Sequence, residues 1–112
     1  MNKDDEGAAL PLDLEHLAEQ TFGNADLEAE VLRLFLKQAR QCLERLRTAP
    51  EAGTAHLLLG SARGIGATRV ASAAAALEGS LLRGGGDGDF AELEHAVEAA
   101  TAFIEARLGA RG

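Results

Sequence analysis

Apolar side chains recur at helical spacing in successive runs, and the breaks between them are short and carry Gly, Asn or Pro. No stretch alternates apolar and polar residues long enough to form a strand. The chain is rich in Ala and Leu, has no Trp or Tyr and has only two Pro, a balance that favours helix over strand. At 112 residues it is the size of one domain and can bury a core without disulfides or metals.

The spacing predicts a short helix from an N-cap at Asp13 through Phe22, ended by Gly23 and Asn24. Residues 1–11 before it are charged, are punctuated by Gly7 and Pro11, and are expected to be a disordered leader. A second helix is expected over 25–47. Asp26, Glu28 and Glu30 open it and Arg45 and Arg47 close it, which suits the helix dipole. Its predicted buried stripe is Leu27, Val31, Leu34, Phe35, Gln38, Cys42 and Leu46. Pro50 suits the first turn of a third helix over 51–62, with Ala55, Leu58, Leu59 and Ala62 on one face. A fourth helix is expected over 68–83, with Val70, Ala73, Ala74, Leu77 and Leu81 inward. GGGDGD at 84–89 reads as a loop, followed by a fifth helix over 90–108 with Phe90, Leu93, Val97, Ala100 and Ile104 inward. Short connections make neighbours antiparallel. The expected fold is therefore all-α: an up-down-up-down four-helix bundle with a short additional N-terminal helix.

Composition narrows the function. The net charge of −7 argues against non-specific nucleic-acid binding. Residues 1–30 carry nine acids and one Lys (−8), residues 31–83 eight basic side chains and three acids (+5), and residues 84–112 six acids and two Arg (−4). A basic middle thus lies between acidic flanks. No apolar run approaches the ~20 residues that span a bilayer, and no signal-peptide core is visible. The one cysteine, Cys42, forms no intrachain disulfide. These features point to a cytoplasmic protein.

His56 is the candidate centre. At about 100° per residue it falls at the flank of the third helix's apolar stripe. Gly60 lies one turn on and Arg63 about two, on nearly the same side. A Gly inside a helix costs roughly 1 kcal/mol against Ala. Beside an exposed His it leaves room for a phosphoryl group or for another protein's backbone. On spacing alone the plainer reading is favoured, with Gly60 a helix-packing contact and His56 a half-exposed boundary residue.

The local string shifts that balance. AHLLLGSARGIGATRVASAAAALE, residues 55–78, resembles the phosphoacceptor segment of the histidine phosphotransfer (Hpt) family, A-H-x-L-K-G-S-A followed by a hydrophobic-Gly pair and a helix ending in Leu-Glu. Ala55, His56, Leu58, Gly60, Ser61 and Ala62 match in register. Ile65 and Gly66 supply the pair, Leu77 and Glu78 the ending. Phe35 stands where the preceding helix of such domains often carries a Phe. Helix order and spacing extend the likeness over most of the chain from residue 12, which implies an Hpt domain over 12–109.

The resemblance implies that His56 is a phosphoacceptor exchanging phosphate with an aspartate of response-regulator receiver domains, with Gly60, Ser61, Arg63 and Leu59 supporting phosphate or docking. The partners are then receiver domains or a hybrid histidine kinase. The receiver would bring Mg²⁺, and this chain would carry no cofactor, no metal and no ATP site. Neutral imidazole is nucleophilic near neutral pH because its ordinary pKa is ~6.5, and phosphoryl transfer needs in-line positioning and charge neutralisation above all. One departure is clear. Where the family has a Lys three residues after the His, this chain has Leu59. Arg63, Arg69, Lys37, Arg40 or the partner would then supply the positive charge.

Leu59 also motivates a different reading, in which the fold binds a receiver or kinase as an inhibitor or tether without being phosphorylated. A third is a structural bundle that oligomerises through Leu57 and Leu59, although a monomer is expected. His16 and His95 read as surface residues and Cys42 as a small core residue. Asp87, Gly88 and Asp89 read as a flexible connection, since the twelve-residue calcium-loop pattern is missing. Gly64-Ile65-Gly66 follows no strand and is no dinucleotide fingerprint.

Overall fold

A computed structural model describes residues 10–110. It contains five helices: α1 (Leu14–Gln20), α2 (Ala25–Thr48), α3 (Ala52–Ile65), α4 (Thr68–Leu82) and α5 (Asp87–Ala110). No strand occurs among the described residues. Helices α2 to α5 form the up-down bundle and α1 is the short addition. α3 packs on α2 and α4, α4 on α5, α5 closes back on α2, and α1 packs on α3. The leader expected over 1–11 falls mostly on residues 1–9, outside the described residues. Leu10 and Pro11 form a bend.

The caps lie where the side chains dictate. The Asp13 carboxylate accepts from the His16 amide at 3.1 Å, and the Asn24 side chain accepts from the Leu27 amide at 3.0 Å. Two ion pairs tie α2 to α5 near opposite ends, Arg47–Glu94 at 2.7 Å and Arg107–Glu28 at 2.8 and 3.0 Å. Each joins an early residue of one helix to a late residue of the other, so the two run antiparallel. Inside, Leu12, Leu17, Leu32, Phe35, Leu58, Leu77, Leu93 and Ile104 meet in one continuous core.

Several boundaries differ from the sequence expectation, each for a local reason. α1 ends at Gln20, and Phe22 lies beyond it in the left-handed region at φ 55°. The Gly23 amide donates to the Ala18 carbonyl at 2.9 Å and the Phe22 amide to the Glu19 carbonyl at 3.3 Å. This is a Schellman closure with Phe22 where glycine usually stands. α3 does not stop at Ala62 but continues through Gly64 to Ile65, and the break comes at Gly66, φ 80°. α5 takes in the second half of GGGDGD. Asp87 and Asp89 favour its N-terminus electrostatically, and Gly86 at φ 130° makes the turn into it.

The α2 stripe is turned from the predicted one. Phe35, Cys42 and Leu46 are buried as expected, but Leu34 is 56% exposed and Leu27, Val31 and Gln38 only half-buried. Ala29, Leu32, Ala39 and Leu43 are buried instead. The run Leu32, Leu34, Phe35, Leu36 puts apolar side chains around most of one turn, so periodicity there does not select a face. Close packing does, and it favours small residues such as Ala29 and Ala39. In α4, Val70, Ala74 and Leu77 are buried with Ser80, while Ala73 and Leu81 are half-buried. In α5, Phe90 is half-buried and Leu93, Val97, Ala100 and Ile104 are buried.

Candidate functional site

α3 carries its apolar side, Ala55, Leu58, Leu59 and Ala62, into the core. That anchoring leaves His56 on the open flank toward α4, with its side chain 68% exposed. Its Nδ1 lies 2.9 Å from Oε2 of Glu78 on α4, whose own side chain is three-quarters buried. An ionised carboxylate only accepts hydrogen bonds. In the neutral ring this partner selects the tautomer with the proton on Nδ1, donated to Glu78, and leaves the lone pair on Nε2, the nitrogen on the opposite side of the ring. A partly buried carboxylate moves less than a free side chain, so it fixes ring orientation as well as tautomer.

Gly60 is exposed one turn further along α3. A Cβ built on it meets nothing within 4 Å, so it is not a helix-packing contact. The same open space surrounds Gly53 and Gly64. At ~100° per residue these three glycines form the outer ridge of α3, with His56 on one side and Leu57 on the other. Leu57 is 54% exposed. It borders a shallow groove of about 380 Å³ with Gln38, Gln41, Cys42, Glu44 and Arg45 of α2. A bare ridge between an imidazole and an exposed leucine lets another protein's backbone come close.

The other sequence candidates divide. Arg63 is exposed on the His56 side of α3, roughly 10 Å further along its axis. Ser61 is half-buried and points roughly 140° away from His56 around the helix. Leu59, at the position of the family Lys, is only 5% exposed and belongs to the core. Arg69 lines the cleft between α4 and α5 with Asp89 and Glu92. It points away from Glu78 around α4. Lys37 and Arg40 are exposed on the outer face of α2. Glu78 is the ionic partner the structure gives His56.

Glu78 was not among the candidate site residues. Glu78 lies 22 residues from His56, and only the antiparallel α3–α4 pairing joins them. Its one sequence signal was its place at the end of the motif. His16 is more than a surface side chain, because its Nε2 hydrogen-bonds the Gly64 carbonyl at 3.2 Å and ties α1 to α3. Cys42 is buried, and burial pushes its thiol pKa up against a smaller lowering by Arg45, so the unreactive thiol form is favoured. His95 is exposed, and Asp87 and Asp89 occupy the first turn of α5.

The family profile of the Hpt domain matches residues 30–108, well over half of the chain and all of the His56 face. The chain belongs to the Hpt domain family. No curated protein and no solved structure matches the chain. Hpt domains carry phosphoryl groups on histidine in phosphorelays, exchange them with receiver domains and contain no kinase domain. The matched segment spans α3, α4 and most of α2 and α5, whereas α1 and the α1–α2 turn lie outside it. No helix among the described residues is long and apolar enough to cross a membrane.

Proposed function

We propose that this Hpt domain is a cytoplasmic phosphorelay intermediate whose phosphoacceptor is His56. The observation that carries the reading is the exposed imidazole with Nδ1 held at 2.9 Å by Glu78. The Nε2 lone pair attacks the phosphorus of an aspartyl phosphate on a receiver domain. The N–P bond forms as the P–O bond to the aspartate breaks, and the aspartate leaves as carboxylate. Nδ1 keeps its proton throughout, and its bond to Glu78 offsets the positive charge that grows on the ring. Donation to a second receiver is the reverse step.

The receiver docks on the Gly53–Gly60–Gly64 ridge and the Leu57 groove, and brings the Mg²⁺ that neutralises the transferring group. Arg63 adds charge from this chain. Side chains on a helix lean toward its N-terminus, so Arg63 leans toward His56 along a lane that Gly60 leaves empty. Ser61 and Leu59 support the site through the packing of α3. With no Lys at the Leu59 position, most of the neutralising charge comes from the partner.

The test is incubation with a phosphorylated receiver. The wild type takes up acid-labile, base-stable label and His56→Gln does not. Equal labelling of His56→Gln overturns the assignment. A receiver or kinase that binds undiminished to His56→Ala, with no labelling of the wild type, identifies a non-phosphorylated tether or inhibitor instead.

A further inference from the structure

Ionic pairing is uneven along α2. Near its two ends the helix is tied to α5, Arg47 to Glu94 and Glu28 to Arg107. Between them, Arg33, Lys37 and Arg40 are exposed and form no ion pair among the described residues. They stand four and three residues apart, so at ~100° per residue they share the outer face of α2. Like charges at these spacings repel and cost the helix stability. Two exposed acids, Glu30 and Glu44, lie one turn beyond the strip at either end, and neither pairs with it. In a chain of net charge −7, a run of unpaired cations is not something the fold requires.

The strip adjoins the His56 face. Gln41, Arg45 and Gln38 carry α2 round to the groove that Leu57 borders on α3. Leu57 meets residues 38–45, so Lys37 and Arg40 stand within about 8 Å of its level along the helix axis. Packed helices are ~8–10 Å apart, so a domain roughly 30 Å across that reaches the imidazole also covers the strip. The strip itself lies a helix away from the ring and does not touch the transferring phosphoryl group. We propose that Arg33, Lys37 and Arg40 form an electrostatic docking strip for the receiver domain, an assignment that rests on a receiver meeting this chain over His56. The partner it fits is a protein with an acidic rim. Mg²⁺ is held by carboxylates, and a loaded aspartate adds the charge of its phosphate. Attraction across such a rim speeds capture and rejects partners of the wrong sign. Charges are screened beyond ~8 Å at physiological salt, so an approaching receiver feels the strip more than the acids gathered in residues 1–30 and 84–112.

Association with a Mg²⁺-loaded receiver domain, measured without phosphate across a salt series, tests this, with phosphotransfer as a second readout. Wild-type association slows steeply as salt rises. Lys37→Gln/Arg40→Gln lowers the association rate at low salt by at least about fivefold and flattens its salt dependence. Transfer to this variant is slowed at low receiver concentration and recovers at saturating receiver. Lys37→Glu/Arg40→Glu reverses the sign of the strip and loses more. Ser72→Glu/Ala76→Glu, in the cleft between α4 and α5 on the other side of the bundle, makes the same change in net charge as the double Gln variant and associates like the wild type. Strip-dependent binding with no label at His56 supports the strip and ends the phosphorelay reading; label at His56 with strip-independent binding does the reverse. Equal association of Lys37→Gln/Arg40→Gln and the wild type at every salt concentration, or an equal loss in Ser72→Glu/Ala76→Glu, overturns the proposal.

Discussion

Gly60 and Gly66 stand six residues apart on one helix and do opposite work. Gly66 ends α3 at φ 80°, and a Cβ there would come within 3.0 Å of the Asp13 carbonyl and 3.2 Å of the His16 ring. Its smallness is a requirement of the fold, because α1 docks where the side chain would be. Gly60 sits in regular helix with nothing within 4 Å of its missing Cβ. Nothing inside the chain requires a glycine there, and helix propensity opposes it. One helix thus has an end shaped by its own chain and a face shaped for something outside it.

Gly66→Ala has the largest expected effect. A left-handed L-residue costs ~1–2 kcal/mol, and forcing a methyl against backbone adds roughly 1–3 more. Chemical denaturation should show a loss of about 3 kcal/mol, and the remaining folded fraction should keep its phosphotransfer chemistry. A loss under about 1 kcal/mol would mean that α1 is not seated as described. Gly60→Gln comes next and acts on the other side of the contrast. It should hold or slightly raise the melting temperature, since Gln is a better helix former than Gly at this open position, while slowing transfer from a phosphorylated receiver at least about tenfold, or ~1.4 kcal/mol of barrier. Unchanged transfer would show that the receiver approaches elsewhere.

The same contrast explains what the sequence disclosed. Buried positions in α3 were legible because Ala55, Leu58, Leu59 and Ala62 fall on a single face, with three glycines and His56 on the other side and Leu57 the one large apolar residue left outside. In α2 the apolar residues surround the helix at Leu32–Leu36, so only the packing of α3 and α5 decides that Leu32 goes in and Leu34 out. His56 was legible because its local string is distinctive. Glu78 was not, because a tautomer partner on another helix leaves no local pattern. The end of α3 and the start of α5 were misplaced because Gly64 and Gly88 look in sequence like the glycines that do break the chain. Gly66 at φ 80° and Gly86 at φ 130° make the turns, while Gly64 and Gly88 stay helical.

Glu78→Leu should produce a smaller change than Gly60→Gln. It removes the acceptor for Nδ1–H without touching the docking face, so the tautomer with the proton on Nε2 becomes populated and the reactive lone pair is lost part of the time. Transfer should slow severalfold, and imidazole ¹⁵N spectra should show the tautomer mixture directly. Glu78→Gln keeps an acceptor oxygen, so it should fall between Glu78→Leu and the wild type in both readouts. Equal tautomer populations in wild type and Glu78→Leu would remove Glu78 from the site.

Gly60→Ala carries the smallest effect and the sharpest sign. If the space over Gly60 is empty in the free chain, a methyl there meets no neighbour, and the gain in helix propensity should raise stability by up to about 1 kcal/mol. The same methyl projects into the lane between His56 and Arg63, so phosphotransfer should fall slightly or hold while stability rises. A substitution that stabilises the fold without improving the chemistry marks a residue kept small for a partner. Should Gly60→Ala instead destabilise the chain, the ridge of α3 would be a packing surface, and the distinction between its face and its end would disappear.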